Sequence, residues 1–155
     1  MPDSKPTGKE DTKSRIKWTR VCLGGLLAGV INNLFEFVTN GVVLGRDWAE
    51  AMKALGRSAM APTALVVFVI WGFLVGISAI WLYAAARPRF GPGVKTAALT
   101  GFAFWVFAYA LPTLGNWALG LFPKRLFVIG VLVGLVEVIL ASVAGAWLYK
   151  EVSAA

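Results

Sequence analysis

The chain has 155 residues, of which 58% are hydrophobic and only 15% are charged. Soluble domains are about half apolar and a quarter charged, so a water-soluble fold of this length could not bury so much apolar surface. The chain has no histidine and one cysteine, Cys22, which excludes an internal disulfide, a thiolate metal cluster and the usual haem and zinc ligands. The net charge of +7 does not indicate nucleic acid as a partner, because six of the fifteen basic residues fall in the first twenty positions, directly before an apolar segment.

The basic start, residues 1–20, is rich in Pro, Ser, Thr and Gly among its charges. We expect this tail to be disordered or to lie against anionic lipid headgroups at the membrane surface. A signal peptide is the alternative interpretation, but no small-residue cleavage site follows and the apolar stretch continues to Leu44. Residues 21–150 are predicted to form the membrane domain.

Four segments are long enough to cross the ~30 Å hydrocarbon core, which needs about 20 helical residues. The connections between the last three segments are short, which leaves no room for a second domain. The predicted fold class is all-α, a polytopic membrane protein with a four-helix transmembrane bundle. The predicted spans are residues 21–44, 63–86, 96–118 and 126–149.

The first connection is long enough to hold a helix of its own. Apolar residues recur there at helical spacing and charged residues occupy the other face, which predicts a short interfacial helix over residues 47–56. Asp47 and Glu50 have capping-box spacing for its start, and Gly56 is placed to end it. Such a helix is a structural anchor or, as an alternative, a lid or a docking helix. Its apolar stripe comprises Trp48, Ala51, Met52 and Leu55.

The basic residues are distributed unequally between the two sides of the predicted bundle. With four crossings both termini share one side, and ten of the fifteen Lys and Arg residues fall there. The positive-inside rule then predicts that both termini are cytoplasmic. Anionic lipids on that side are the expected partners of the basic residues.

Three spans carry pairs of glycines at G-x-x-x-G spacing. In lipid there is little hydrophobic force between helices, so small residues that let two backbones approach favour their association. Three such pairs in one bundle predict close-packed helix faces. The pairs are Gly25 with Gly29, Gly72 with Gly76, and Gly130 with Gly134.

Two carboxylates, Glu36 and Glu137, fall inside the predicted hydrocarbon region, and no span contains a Lys or Arg to neutralise them. An isolated charge there is very costly, so each side chain is expected to be protonated or hydrogen-bonded and to face the bundle interior. Glu36 shares a helical face with Asn32, Asn33 and Asn40, which predicts a polar network. The two glutamates lie at similar depth, so they form either one shared proton or ligand site or two separate hydrogen-bond contacts between helices. We expect Glu36 to matter more than Glu137.

Three further residues lie deep in the spans. Pro112 interrupts the third span and is expected to kink it. Trp71 and Trp105 are too far from the predicted span ends for an aromatic belt, so we expect both to pack inside the bundle.

Two stretches resemble small bacterial four-helix inner-membrane proteins of uncharacterised function. The resemblance implies a bacterial inner-membrane location and four spans, and it implies no activity. It rests on the spacing of Gly, Trp and Pro-Thr in residues 26–48 and in the block 95–127, which contains Gly101, Trp105, Leu111, Pro112, Thr113 and Asn116.

No catalytic residue, metal ligand or cofactor is predicted, because the sequence offers no acid–base pair and no metal cluster. The first functional hypothesis is a non-enzymatic structural or accessory membrane subunit, as a homo-oligomer or within a larger membrane complex. The alternative is a small proton-coupled transporter or carrier with Glu36 as the titrating residue.

Overall fold

A computed structural model of the chain describes residues 16–57 and 61–151, and every regular element among them is a helix. The predicted all-α four-helix bundle is confirmed. Residues 1–15 of the predicted basic tail lie outside the described part. Four apolar helical stretches are long enough to cross a membrane, and they are Trp18–Val43, Thr63–Phe90, Val94–Ala118 and Lys124–Tyr149.

The helical elements follow the predicted spans but extend past several of their ends. The second span continues as a helix through Pro88 to Phe90, four residues past its predicted end at residue 86, because a proline removes only one amide hydrogen bond near the end of a helix. The elements are α1 (Trp18–Glu36), a π-helical segment π1 (Phe37–Val43), α2 (Gly45–Ala54), α3 (Pro62–Phe90), α4 (Val94–Trp105), a second π-helical segment π2 (Val106–Ala110), α5 (Leu111–Ala118) and α6 (Lys124–Glu151).

The four crossings form a ring in which α1 packs between α3 and α6, and α4 packs against α6 and α3. We call the end of the bundle that carries α2 the α2 end. The opposite end, where α1 begins, α6 ends and the Gly91–Gly93 turn joins α3 to α4, is called the turn end. Gly91 and Gly93 have φ angles of 80° and 134°, which glycine adopts more readily than other residues.

Glycines hold α1 and α3 together, as the sequence predicts. A Cβ placed on Gly25 would lie 2.6 Å from Ile77 Cα, and one on Gly29 would lie 2.8 Å from Phe73 Cα. A Cβ on Gly76 would lie 2.5 Å from the carbonyl oxygen of Gly25, so the first two glycine pairs face each other. The space beside Gly72 is occupied by the side chain of Asn33 in α1, because a Cβ placed on Gly72 would lie 2.6 Å from Asn33 Oδ1.

The third glycine pair does not behave as one packing face. Gly134 lies under the ring of Tyr109, where a Cβ would meet Cδ1 at 2.9 Å. Nothing lies within 4 Å of a Cβ on Gly130, so its prediction as a close-packing residue was wrong. The reason is that α5, which continues the third span beyond Tyr109, is exposed along most of its length and leaves this part of α6 open.

The interfacial helix α2 is confirmed, with bounds shifted by two residues. Because it begins at Gly45 and has no side-chain cap, the predicted capping box is wrong. Asp47 instead accepts a hydrogen bond from Arg125 Nη1 at 3.1 Å, and Gly56 follows the helix with a φ of 67°, as expected. Ala51 is buried, together with residues 44 and 126, so the apolar face of α2 covers the α2 end of the bundle.

The α3 helix is almost uncovered by other helices between its start and Gly72. From Leu65 to Trp71 the side chains are 41–63% exposed. The expectation that Trp71 packs inside the bundle is wrong, because this part of α3 extends past the close contact with α1. Trp105 does pack inside, where its Nε1 donates to the Val131 carbonyl at 3.0 Å.

Candidate functional site

Glu36 begins a chain of polar contacts that leads to the α2 end. The side chain is half-buried at the end of α1, and Asn40 in π1 donates a hydrogen bond from Nδ2 to its carboxyl group. Trp48 in α2 donates from Nε1 to Asn40 Oδ1 at 2.9 Å. The interfacial helix is therefore connected by two hydrogen bonds to a carboxyl group inside the span.

Glu137 lies in the middle of α6 and is only 1% exposed. Its Oε1 has no hydrogen-bond partner among the described residues. Glu36, Glu137 and Tyr109 lie within the range of electrostatic interaction with one another. The fold thus places the two predicted carboxyl groups and a phenol in the same region of the bundle. We call Glu36, Asn40, Trp48, Tyr109 and Glu137 the polar cluster.

Asn32 and Asn33 do not join this cluster. Asn33 Nδ2 donates to the carbonyl oxygens of Gly29 and Val69, at 2.9 and 3.2 Å. Asn32 Nδ2 reaches the carbonyl oxygen of Gly72 at 3.5 Å. The single network predicted for the asparagines and Glu36 is wrong in this part, because residues 32 and 33 lie on the side of α1 that meets α3. Their amides attach α1 to the backbone of α3.

Both π-helical segments adjoin the polar cluster. In π1, which follows Glu36 directly, the Leu44 amide donates to the Thr39 carbonyl at 2.8 Å, five residues back. In π2, which contains Tyr109, the widened helix precedes Pro112, whose ring nitrogen has no hydrogen to donate. The disturbance of the third span that the sequence predicts at Pro112 takes the form of a wider helical turn. Such segments are rare and occur frequently at functional sites.

Three buried polar atoms lack a hydrogen-bond partner in the described residues: Asn32 Oδ1, Glu137 Oε1 and Ser142 Oγ. Buried polar groups are satisfied in most proteins, so each unsatisfied group calls for an explanation. Glu137 and Ser142 are on one helix, five residues or about 7 Å apart along its axis. They place unsatisfied polar groups at two depths, one in the polar cluster and one nearer the turn end.

The basic residues nearest along the chain to Glu36 and Glu137 are Arg46 and Arg125, ten and twelve residues away. The two salt bridges in the described part join Arg46 to Glu50 and Arg125 to Asp47, and all four residues belong to the α2 end. No three Cys, Asp or Glu side chains in residues 16–57 and 61–151 come together in a way that could hold a metal ion. The cluster can therefore accept and release protons and offer hydrogen bonds to a polar solute.

Sequence reasoning found Glu36, Asn40 and Glu137 but missed Tyr109 and Trp48 as partners. Tyr109 is the one residue with a hydroxyl group in the aromatic run 102–109. That feature, together with Pro112 three residues later, was the available signal. Trp48 carries no such signal, because its contact depends on how α2 folds back onto the bundle.

Four long apolar helices in one bundle define a multi-pass integral membrane protein. No family model matches the chain, and no match was found among curated proteins or among solved structures. The resemblance to four-helix bacterial inner-membrane proteins stays a prediction.

Proposed function

We propose that this membrane protein is a non-enzymatic, proton-coupled carrier whose titrating groups are Glu36 and Glu137. The observation that carries the proposal is that two carboxyl groups lie within electrostatic range of each other inside the bundle, with no Lys or Arg in the predicted spans 21–44, 63–86, 96–118 and 126–149 to neutralise them. Ionisable residues at this depth are costly and commonly mark proton or substrate pathways. This favours the second of the two hypotheses drawn from the sequence.

The contacts of Glu36 suit a group that gains and loses a proton. Asn40 donates to the carboxyl through its amide nitrogen, a hydrogen bond that an ionised or a protonated group can accept. Asn40 in turn accepts from Trp48, so its orientation is fixed by α2. A proton that enters at the α2 end would reach Glu36 first and the buried Glu137 second.

The hypothesis of an accessory subunit loses part of its support. Two of the three glycine pairs pack between α1 and α3, so they offer no face to a partner. The remaining observation in its favour is the exposure of α3 from Leu65 to Trp71. We retain a structural or accessory subunit as the second candidate on that basis, either as a homo-oligomer or within a larger complex.

Infrared spectroscopy tests the proton-coupled function without knowledge of a substrate. In proteoliposomes of the full chain, the carbonyl band of protonated carboxylic acids should change with pH. Glu36→Gln and Glu137→Gln should each remove part of that change, because an amide does not titrate. Glu50→Gln, at an exposed carboxylate of α2, is the matched control for a glutamate outside the spans.

The same vesicles, loaded with a pH-sensitive dye, report proton flux. We expect at least tenfold lower flux in each glutamine variant than in the parent protein and in Glu50→Gln. Identical infrared titrations in parent and variants would exclude the proposal. That result would favour the accessory subunit, which needs hydrogen bonds from these residues but no titration.

The charge distribution predicts that the turn end faces the cytoplasm, and the resemblance to bacterial four-helix proteins implies a bacterial inner membrane. Reporter fusions after residues 92 and 120 should then report the inside and the outside of the cell. The reversed pattern would contradict this orientation.

A further inference from the structure

A groove lies on the side of the bundle at the turn end, away from the polar cluster. Its volume is about 550 Å³, within the ~300–1,000 Å³ typical of ligand-binding clefts. The walls come mainly from α4 and α6, with one residue each from α1 and α3, and are apolar. Val94, Leu140 and Trp147 in these walls are 49–66% exposed, so the groove opens toward the lipid. Further lining residues are Leu27, Val143 and Ala144.

The groove extends along about two-thirds of the hydrocarbon part of one leaflet. Leu140 and Trp147 are seven residues apart on α6, about 10 Å along the axis, and one leaflet contributes about 15 Å of hydrocarbon. At its shallow end the groove reaches Gly93 in the turn between α3 and α4. An apolar cleft of this length, open to lipid and ending at the interface, suits an acyl chain.

A second cavity of about 360 Å³ adjoins the shallow end of the groove. Tyr83 lines the groove and Tyr149 lines the cavity, and their rings meet edge to face with centroids 5.9 Å apart. Arg87 also lines the cavity, and its guanidinium lies 5.5 Å from the centre of the Tyr149 ring. A cation is thus held beside the end of an apolar groove.

The turn itself is fixed and basic. Thr96 Oγ1 donates to the Gly91 carbonyl at 2.8 Å, and the Gly93 amide donates to the Tyr83 hydroxyl at 3.2 Å. Arg89 and Lys95 are exposed on either side of the turn. The sequence has no Asp or Glu between residues 50 and 137, so α3, the turn and α4 bring only positive charge to this end.

We propose that the groove and the adjoining cavity form a binding site for one anionic phospholipid. One acyl chain occupies the groove, and the phosphate lies beside Arg87 within reach of the basic turn. The apolar walls provide the affinity for the chain, and the excess of cations selects an anionic headgroup over a zwitterionic one. This site is independent of the proton-coupled function, because it shares no residue with the polar cluster.

Native mass spectrometry of the full chain, released from detergent with phosphatidylglycerol or phosphatidylcholine, tests the site. We expect phosphatidylglycerol to be retained about fivefold more than phosphatidylcholine, the factor that one cation contributes near an anionic headgroup. Arg87→Gln should reduce this preference to less than twofold. Arg57→Gln, which removes an exposed cation at the α2 end, should leave it unchanged.

A second pair of variants tests the groove. Val94→Trp places a bulky ring at its mouth and should lower the retention of both lipids several-fold. Leu132→Trp adds the same ring at an exposed α6 position that does not line the groove, and should have no effect. Equal retention of both lipids by the parent protein overturns the proposal, as does unchanged preference in Arg87→Gln. If Val94→Trp fails to fold by gel filtration, the arginine pair decides.

Discussion

The two halves of the bundle differ in how closely their helices pack. Toward the turn end, backbones touch: a Cβ on Gly24 would lie 2.6 Å from the Gly145 carbonyl oxygen, and α1 meets α3 at Gly25 and Gly29 with similar closeness. Toward the α2 end the helices separate, side chains such as Phe68 and Leu114 are exposed, and both π-helical segments occur.

The polar residues follow this division. Glu36, Asn40 and Tyr109 lie where the helices begin to separate, while the most closely packed part contains mainly glycine and alanine. Close packing leaves no volume for a carboxyl group and its partners, and a wider spacing admits them. We call the closely packed half at the turn end the clamp, because it fixes the position of the polar cluster in the more loosely packed half.

The strongest test of this comparison is Gly76→Leu, which should separate the clamp. A Cβ there would lie 2.5 Å from the Gly25 carbonyl oxygen, so the larger side chain must push α1 and α3 apart. We expect a loss of about 3 kcal/mol, the upper part of the range for overpacking, measured by unfolding in mild detergent. Gly115→Leu is the control, because nothing lies within 4 Å of its Cβ, and it should change stability little. Equal tolerance of both would mean that the clamp does not exist.

A second test compares a residue that holds helices together with one that serves the polar cluster. Asn33→Leu removes the hydrogen bond to the Val69 carbonyl and should cost about 0.6–1.7 kcal/mol, the range measured for polar contacts between membrane helices. Glu137→Leu removes a buried oxygen without a partner in the described residues, so it should be neutral or stabilising by about 1 kcal/mol. Thermal unfolding in detergent measures both. A loss in Glu137→Leu as large as in Asn33→Leu would identify Glu137 as a structural contact.

The smallest effect is expected where α2 meets the polar cluster. Trp48→Phe keeps a ring against Phe122 but removes the donor to Asn40, at a cost of about 0.5–1.5 kcal/mol. Trp117→Phe removes an indole that is 47% exposed and has no hydrogen bond in the described part, so it should cost less. The free energies of unfolding of the two variants, measured at one pH, give the difference in stability between them. If the two variants are equally stable, α2 is not held by this hydrogen bond.

How much the sequence could predict depends on the distance over which each feature is determined. The spans, the α2 helix and the Glu36–Asn40 pair depend on neighbours within one or two turns, and these were predicted correctly. The contacts of Tyr109 with Gly134 and of Trp48 with Asn40 depend on how separate helices meet, which no local spacing contains. Asn32 and Asn33 were misassigned because one face of α1 was treated as a single surface.

The same distinction, between local spacing and contacts between separate helices, explains why the prediction for Gly130 was wrong. Its spacing to Gly134 is that of a packing motif, but whether a second helix covers it depends on the path of α5 after Pro112. The standard helical rise and turn could not predict that path, because π2 changes both just before the proline.

The π-helical segments also set how a mutational scan of this protein should be interpreted. A wide turn holds about one residue more than the 3.6 of an α-helix, so each residue within a segment advances by less than the usual 100°, and all later residues are displaced around the helix axis. A cysteine-accessibility scan along the first span should oscillate with the α-helical period up to Glu36 and then lose phase over residues 37–43. The third span should show the same break after Trp105, and the loss of phase in both spans would locate the polar site without any structure.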